Sequence, residues 1–286
     1  MAILFALVSY FGWGSGDIFV GLSSRKIGTI PTIFWLNIFG QLLPTLFIPF
    51  ALGSFPSLKI LSLLIIILIG LLNTAAGLSY VEGLRIGNAS IVGTIGGSFT
   101  SIVVLLSLMF LGESLFPSQI LAIIIIFAGI VLCSLNFADV KEKNLLNRGT
   151  LLALFSMVAW GIGFTIIKIP VRELGWFWTP YLEGFVGFSI FTIVALRQRK
   201  KYLFIPDRQD FSNLLLGGIL PAVGFFSYNY AISIGQASIV APVAGSSITL
   251  FVLLSRFAFK DRLSKQQWFG ILITLVGIVL LAFLSK

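Results

Sequence analysis

Apolar residues in this chain come in unbroken runs of about twenty, separated by short connectors that hold most of the charge. Ten runs can be drawn, roughly at 3–22, 31–52, 59–83, 89–111, 117–136, 148–170, 176–196, 212–234, 237–257 and 266–284. A helix crossing a hydrocarbon layer of ~30 Å needs about that length. The pattern therefore predicts ten membrane-spanning helices. Pro31 and Pro117 stand where helices begin, a position that tolerates the missing N–H. The longest connectors are 137–147 and 197–211, and neither leaves room for an extramembrane domain.

The pattern also repeats. Residues 79–98 (SYVEGLRIGNASIVGTIGGS) return at 227–246 as SYNYAISIGQASIVAPVAGS, with ten of twenty positions identical at a shift of 148. VLLS at 104–107 returns at 252–255, and GIVL at 129–132 returns at 277–280. At a shift of 147, Ser9, Trp13, Gly14, Gly16, Arg25, Gly28 and Gly40 match Ser156, Trp160, Gly161, Gly163, Arg172, Gly175 and Gly187. The chain is one half written twice, divided as 2–136 and 148–284. Five crossings is an odd number, so the second half must enter from the opposite face. The expected fold is all-α and membrane-integral, with ten transmembrane helices as two inverted five-helix repeats.

Composition agrees: 58% of residues are hydrophobic and 10% charged, against about 25% charged in soluble chains. The net charge of +9 does not point to nucleic acid, because the basic residues sit in connectors, where orientation signals lie. Histidine is absent and Cys133 is the sole cysteine. That excludes histidine relays, histidine-bound zinc, thiolate clusters and an intrachain disulfide, so no metal or cofactor is expected. Asp17 in the first run marks it as a retained helix and not a cleaved leader. Fifteen of the nineteen Lys and Arg fall in connectors 1–2, 3–4, 5–6, 7–8 and 9–10, which by the positive-inside rule places both termini outside the cytoplasm. A reporter fused after Lys286 that works only in the cytoplasm would overturn this.

Together these residues resemble the drug/metabolite transporter superfamily and its EamA-type members. The resemblance is carried by WGxG at 13–16 and 160–163, by IGNASIV and IGQASIV, and by GESLFPSQILAIIIIFAGIVL at 112–132. In the second copy Lys260 and Asp261 replace the Gly–Glu pair. The likeness implies a central cavity between the repeats, cytoplasmic termini in many members, and export or exchange of small metabolites across a bacterial plasma membrane. An amino acid or similar amphipathic solute is the first choice of substrate. The partners implied are that small molecule and the lipid bilayer, with no nucleic acid and no enzyme activity. The alternatives are a non-transporting receptor or assembly subunit and, with no clustered catalytic groups to support it, a membrane-embedded enzyme.

Several polar residues stand inside apolar runs. An acid at a helix centre costs about 2.5–3.5 kcal/mol on insertion scales, so Asp17 and Glu183 should face protein or water. Trp13 is one turn before Asp17, and the pair suits a cationic amine. The inverted arrangement puts the two acids on opposite sides of the midplane, as two stations, or one station and one structural acid, instead of a proton-sharing pair. Asp17 is expected to contact substrate or a coupling proton. Asn37 and Gln41 share one helix face. Asn73 aligns with Pro221, an irregularity at one depth in both repeats, and Pro242 frees a carbonyl in the ninth helix. Tyr80 and Tyr228 are equivalent and suit either substrate stacking or anchoring at the interface, anchoring being favoured; Asn229 follows Tyr228. Trp13 and Trp160 lie near mid-span, which suits a cavity. Gly12, Gly14 and Gly16 would let the first helix bend or a solute approach its backbone. Small residues at 93, 96, 97, 98 and 101, echoed at 241, 244, 245, 246 and 249, suit close helix packing or a solute path. Lys168 is expected to snorkel to the surface, Glu82 and Arg85 to pair, and Glu113 and Asp261 to serve helix starts. The cavity should be walled by helices 1–4 and 6–9, with helices 5 and 10 outside.

Overall fold

The structure, a computed structural model, describes residues 1–87, 89–134, 147–197, 207–258 and 263–285. Lys260, Asp261 and Lys286, named above, lie outside the described residues. The first repeat contains α1 (Ala2–Ile27), α2 (Thr29–Ala51), a short 3-10 turn (Leu52–Ser54), α3 (Ile60–Ile86), α4 (Ala89–Gly97), α5 (Phe99–Phe110) and α6 (Pro117–Ser134). The second contains α7 (Arg148–Ile166), α8 (Lys168–Arg197), α9 (Arg208–Ile234), α10 (Ala237–Gly245), α11 (Ser247–Ala258) and α12 (Lys265–Leu284). Among the described residues nine segments are long and apolar enough to cross a membrane, and the shorter apolar helix Pro117–Cys133 takes the remaining place. The chain is a multi-pass membrane protein, helical throughout its described elements.

The repeats copy each other down to the backbone. Gly28, between α1 and α2, has φ 87° and ψ 167°; Gly175, at the kink inside α8, has φ 83° and ψ 167°. Only glycine takes such φ values freely, so both repeats turn from their first to their second span at the same residue. The fourth span of each repeat breaks at Ser98 and at Ser246, with φ/ψ of −71°/0° and −67°/−1°. The Ser98 hydroxyl donates to Thr94 O at 2.7 Å and the Ser246 hydroxyl to Val243 O at 2.6 Å. Such back-bonding bends helices. The proline-bearing α9 runs on past Pro221 and α3 runs on past Asn73, so the irregularity expected at that depth does not break either helix.

The inversion is seen at the bundle's edge, where α6 and α12 lie side by side. Gln119, at the start of α6, donates to Leu284 O at 3.1 Å, and Gln266, at the start of α12, donates to Leu132 O at 3.0 Å. Each start meets the other's end, so these equivalent helices run antiparallel.

The repeats are interleaved. The first helix of each packs against the third helix of the other, α1 on α9 and α7 on α3. Glycines make the α1–α9 approach possible: a Cβ on Gly12 would lie 2.6 Å from Leu220 O, and one on Gly16 would meet the Pro221 ring. A Cβ on Gly14 would lie 2.6 Å from Ser247 O. The glycines of α1 are therefore filled by neighbouring helices, not kept for a bend or a solute; the lack of a lipid-driven hydrophobic force makes such backbone contact the main packing device.

Candidate functional site

A cavity of about 370 Å³ lies between the repeats. Its wall draws on α1, α2, α3, the α4–α5 pair, α7, α8, α9 and the α10–α11 pair, and on neither α6 nor α12. The small residues Gly93, Gly97 and Gly245 contribute to the wall, while Gly245 also packs closely against Thr100. That stripe serves packing and the cavity together.

Eight of the ten candidate residues face this space: Trp13, Asp17, Asn37, Gln41, Asn73, Tyr80, Trp160 and Glu183. Asp17 is half-buried and Glu183 is buried. The Tyr80 hydroxyl donates to Asp17 Oδ2 at 3.3 Å, and Asn73 Nδ2 donates to Glu183 Oε1 at 3.0 Å. Both donors stand on α3, seven residues apart, which is two turns or about 10 Å of helix. Asn37 Nδ2 bonds its own helix at Ile33 O (2.8 Å), and Gln41 Nε2 crosses to Tyr181 O (3.2 Å). Asn73 Oδ1 has no hydrogen-bond partner. A Cβ on Gly184 or Gly187 would run into Gln41 and into Asn37 and Thr74 respectively, so the glycines of α8 make room for the amides of α2.

Two candidates do not reach the cavity. Tyr228 is fully buried behind it, its hydroxyl donating to Phe164 O at 3.3 Å. Asn229 is also fully buried and bonds Phe225 O within its own helix. Neither Tyr80 nor Tyr228 is an interface anchor, because the interleaving turns both inward. Each packs on the tryptophan of the opposite repeat, Tyr80 on Trp160 at 5.0 Å and Tyr228 on Trp13 at 5.7 Å between ring centroids. Phe99 and Phe164 join the two pairs, with Trp13–Phe164 at 5.5 Å, Phe99–Phe164 at 4.8 Å and Phe99–Trp160 at 5.9 Å. The result is one continuous aromatic surface beside Asp17. Phe99, Phe164 and Phe225 were missed in the sequence because 28 phenylalanines give no reason to choose these three.

Lys168 corrects another expectation. It does not snorkel: it is 5% exposed, and its ammonium donates to Glu113 Oε1 at 2.6 Å and to Gly235 O at 2.7 Å. Glu113 also accepts from Ala237 N and Ser238 N, each at 2.8 Å, and so serves the start of α10 in the other repeat. Burial alone would raise the Glu113 carboxyl; the ammonium and the N–H donors of Ser238 and Ala237 outweigh it and hold the group below its ordinary value of 4.5. Towards the other end of the bundle the pairs are exposed. Lys26 meets Asp207 at 3.0 Å and Asp210 at 2.8 Å, and Arg85 meets Glu82 at 2.6 Å. Glu82 also accepts from Thr29. Among the described residues no group of histidine, cysteine, aspartate and glutamate could hold a metal ion.

With this geometry in view, the sequence profile of the EamA-like transporter family matches residues 1–135 and again 147–283. An uncharacterized protein of Methanocaldococcus jannaschii is 28% identical over 137 residues, 48% of this chain and 98% of that one. A probable amino-acid metabolite efflux pump of Salmonella typhimurium is 27% identical over 133 residues, 46% of this chain and 41% of the pump. The uncharacterized inner membrane transporter YedA of Escherichia coli is 30% identical over 138 residues, 46% of this chain and 42% of that transporter. The matches thus span less than half the length of these two named relatives. A solved crystal structure superposes with a TM-score of 0.74 at 15% identity, covering 99% of this chain and 97% of the other; it shares the fold.

Proposed function

The chain belongs to the EamA-like transporter family, and we propose that it is a secondary transporter of a small amphipathic metabolite, an amino acid or a similar solute, exported or exchanged across the plasma membrane. The observation that supports this reading most is the cavity wall, which takes residues from both repeats and sets two carboxylates against an aromatic surface. A site at the junction of inverted repeats can face either side when one repeat rocks against the other. The relative named as an amino-acid metabolite efflux pump is consistent with the solute class. In this reading Asp17 contacts the solute or a coupling proton, with Tyr80 positioning its carboxylate, and Asn73 does the same for Glu183.

Asp17→Asn keeps the size of the side chain and removes its charge. The test is counterflow in proteoliposomes preloaded with mixed amino acids and amines, read across about pH 5.5–8.5. The wild type should exchange labelled solute, and the variant, folded and reconstituted to the same level, should lose exchange or its pH dependence. Normal exchange by Asp17→Asn at every pH would make Asp17 a structural acid. No exchange by the wild type would sink the transporter reading.

A further inference from the structure

We infer that the cavity takes an amine that carries positive charge and no carboxylate, an aromatic or alkyl amine in preference to a zwitterionic amino acid. This rests on reading the cavity as the solute site and narrows what it admits.

The first argument is the charge inventory. Asp17 and Glu183 line the cavity, and among the described residues no Lys or Arg does. Three of the described cations are engaged elsewhere. Lys168 is buried against Glu113 and Gly235 O, Lys26 is held by Asp207 and Asp210, and Arg85 by Glu82. A solute ammonium would find two carboxylates. A solute carboxylate would find like charge and no cation to offset it.

Several of the neutral donors in the wall are already engaged. Asn37 Nδ2 is bonded to Ile33 O, Gln41 Nε2 to Tyr181 O, Asn73 Nδ2 to Glu183, and the Tyr80 hydroxyl to Asp17. Helix starts often hold anions, and two of them, at the breaks after Ser98 and Ser246, lie beside the cavity. Four of the N–H groups at these breaks are bonded within the chain. Ser98 N bonds Thr94 O and Ile95 O, Ser101 N bonds Ser98 O, Ser246 N bonds Pro242 O, and Thr249 N bonds Ser246 O. An ammonium is a group of donors with no acceptor, which the two carboxylates suit.

The aromatic surface completes the match. Trp13 stands one turn from Asp17 on α1, and its ring is continuous with Phe164, Phe99 and Trp160. An ammonium at Asp17 lies within reach of ring faces that favour cations, and the apolar body of the solute has rings to pack on.

The experiment uses three probes with one ring: phenethylamine, phenylalanine, which adds a carboxylate, and phenylalaninamide, which masks it. Binding of labelled phenethylamine to the purified full-length protein is measured by scintillation proximity near neutral pH, with the other two as competitors. We expect phenethylamine to bind, phenylalaninamide to displace it at comparable concentration, and phenylalanine to be weaker by about tenfold or more. Asp17→Asn should weaken phenethylamine binding about tenfold or more; Glu183→Gln is the second variant should Asp17→Asn fail to elute as a folded monodisperse species. The inference is overturned if phenylalanine competes as well as phenylalaninamide, if phenethylamine does not bind, or if both variants bind it like the wild type. Binding does not require transport. Amine binding without counterflow leaves the inference standing and sinks the transporter reading, whereas counterflow of phenylalanine but not phenethylamine does the reverse.

Discussion

Asp17 in the first repeat and Phe164 in the second occupy equivalent positions, and each receives the hydroxyl of a tyrosine. Tyr80 reaches the Asp17 carboxylate and Tyr228 reaches the Phe164 carbonyl, both at 3.3 Å. The tryptophans beneath them are equivalent too, Trp160 under Tyr80 and Trp13 under Tyr228. The frame is therefore symmetric and the chemistry on it is not. The same holds for the other acid: Glu183 stands where the first repeat has Leu36, and both line the cavity. Inverted repeats need alike backbones to exchange roles when a transporter turns over. The solute has no such symmetry, so the side chains that meet it are free to differ, and each repeat supplies one acid at a position where the other supplies an apolar group.

The halves differ most in energy at one end of the bundle. Lys168 has Gly21 as its counterpart in the first repeat, so the buried Lys168–Glu113 pair has no equivalent there. Removing one partner of a buried pair costs about 3–5 kcal/mol, because the other charge stays buried. Glu113→Gln should therefore lower the thermal unfolding midpoint more than an exposed-pair variant such as Asp207→Asn. Lys168→Met should cost less, since Glu113 keeps the N–H donors of Ala237 and Ser238. The pH dependence has a definite sign. A carboxyl held below its ordinary 4.5 contributes stability that is fully present above that value and is lost as pH falls through the lowered one. The gap between wild type and Glu113→Gln should hold above pH 4.5 and narrow as pH falls below it. A constant gap would place the effect in packing and not in the charge.

The next contrast lies in what faces the WGxG glycines. A Cβ on Gly16 would strike the ring of Pro221, which cannot turn away, while a Cβ on Gly163 would come 2.9 Å from Asn73 Oδ1, the tip of a movable side chain. Pro221 and Asn73 are themselves equivalent. Gly16→Ala should destabilise by about 1–3 kcal/mol through overpacking. Gly163→Ala should cost less stability and instead displace Asn73 from Glu183, so that amine affinity falls while the unfolding midpoint stays near that of the wild type. Equal losses of stability in the two variants would mean that the helices separate as a unit and the difference between proline and asparagine is immaterial.

The repeat, the ten runs and most of the cavity wall were legible in the sequence. Twenty apolar residues in a row suit a bilayer and little else, and a polar residue inside such a run must turn away from lipid. Partners were less legible. Nothing near Lys168 in the chain announces Glu113, which is 55 residues away in a connector. Tyr80 and Tyr228 each follow a serine in equivalent stretches, SYVEG and SYNYA, yet one faces the cavity and the other is sealed behind it. Their own local sequence does not decide this. The partner does, with Asp17 offered to one and Phe164 to the other. In an interleaved pair of repeats a residue's alignment gives its place and its partner's alignment gives its task.

That rule makes the two tyrosines the finest test of the comparison. Each Tyr→Phe change removes one hydroxyl and leaves the ring on its tryptophan. A net hydrogen bond contributes about 0.5–1.5 kcal/mol. In Tyr228→Phe the loss falls on a backbone carbonyl inside the protein, away from the cavity wall. Its free energy of unfolding should fall by an amount in that range, and phenethylamine affinity should stay as in the wild type. In Tyr80→Phe the loss falls on the carboxylate proposed to meet the solute. Asp17 would keep its charge but lose the side-chain donor that fixes its direction, and about 0.5–1.5 kcal/mol of positioning corresponds to roughly three- to tenfold weaker amine binding. Asp17→Asn combined with Tyr80→Phe then discriminates further: once the charge is gone, removing the hydroxyl should change amine binding little, because Tyr80 acts through Asp17. If instead the two tyrosine variants change amine affinity alike, the asymmetry between Asp17 and Phe164 carries no functional weight.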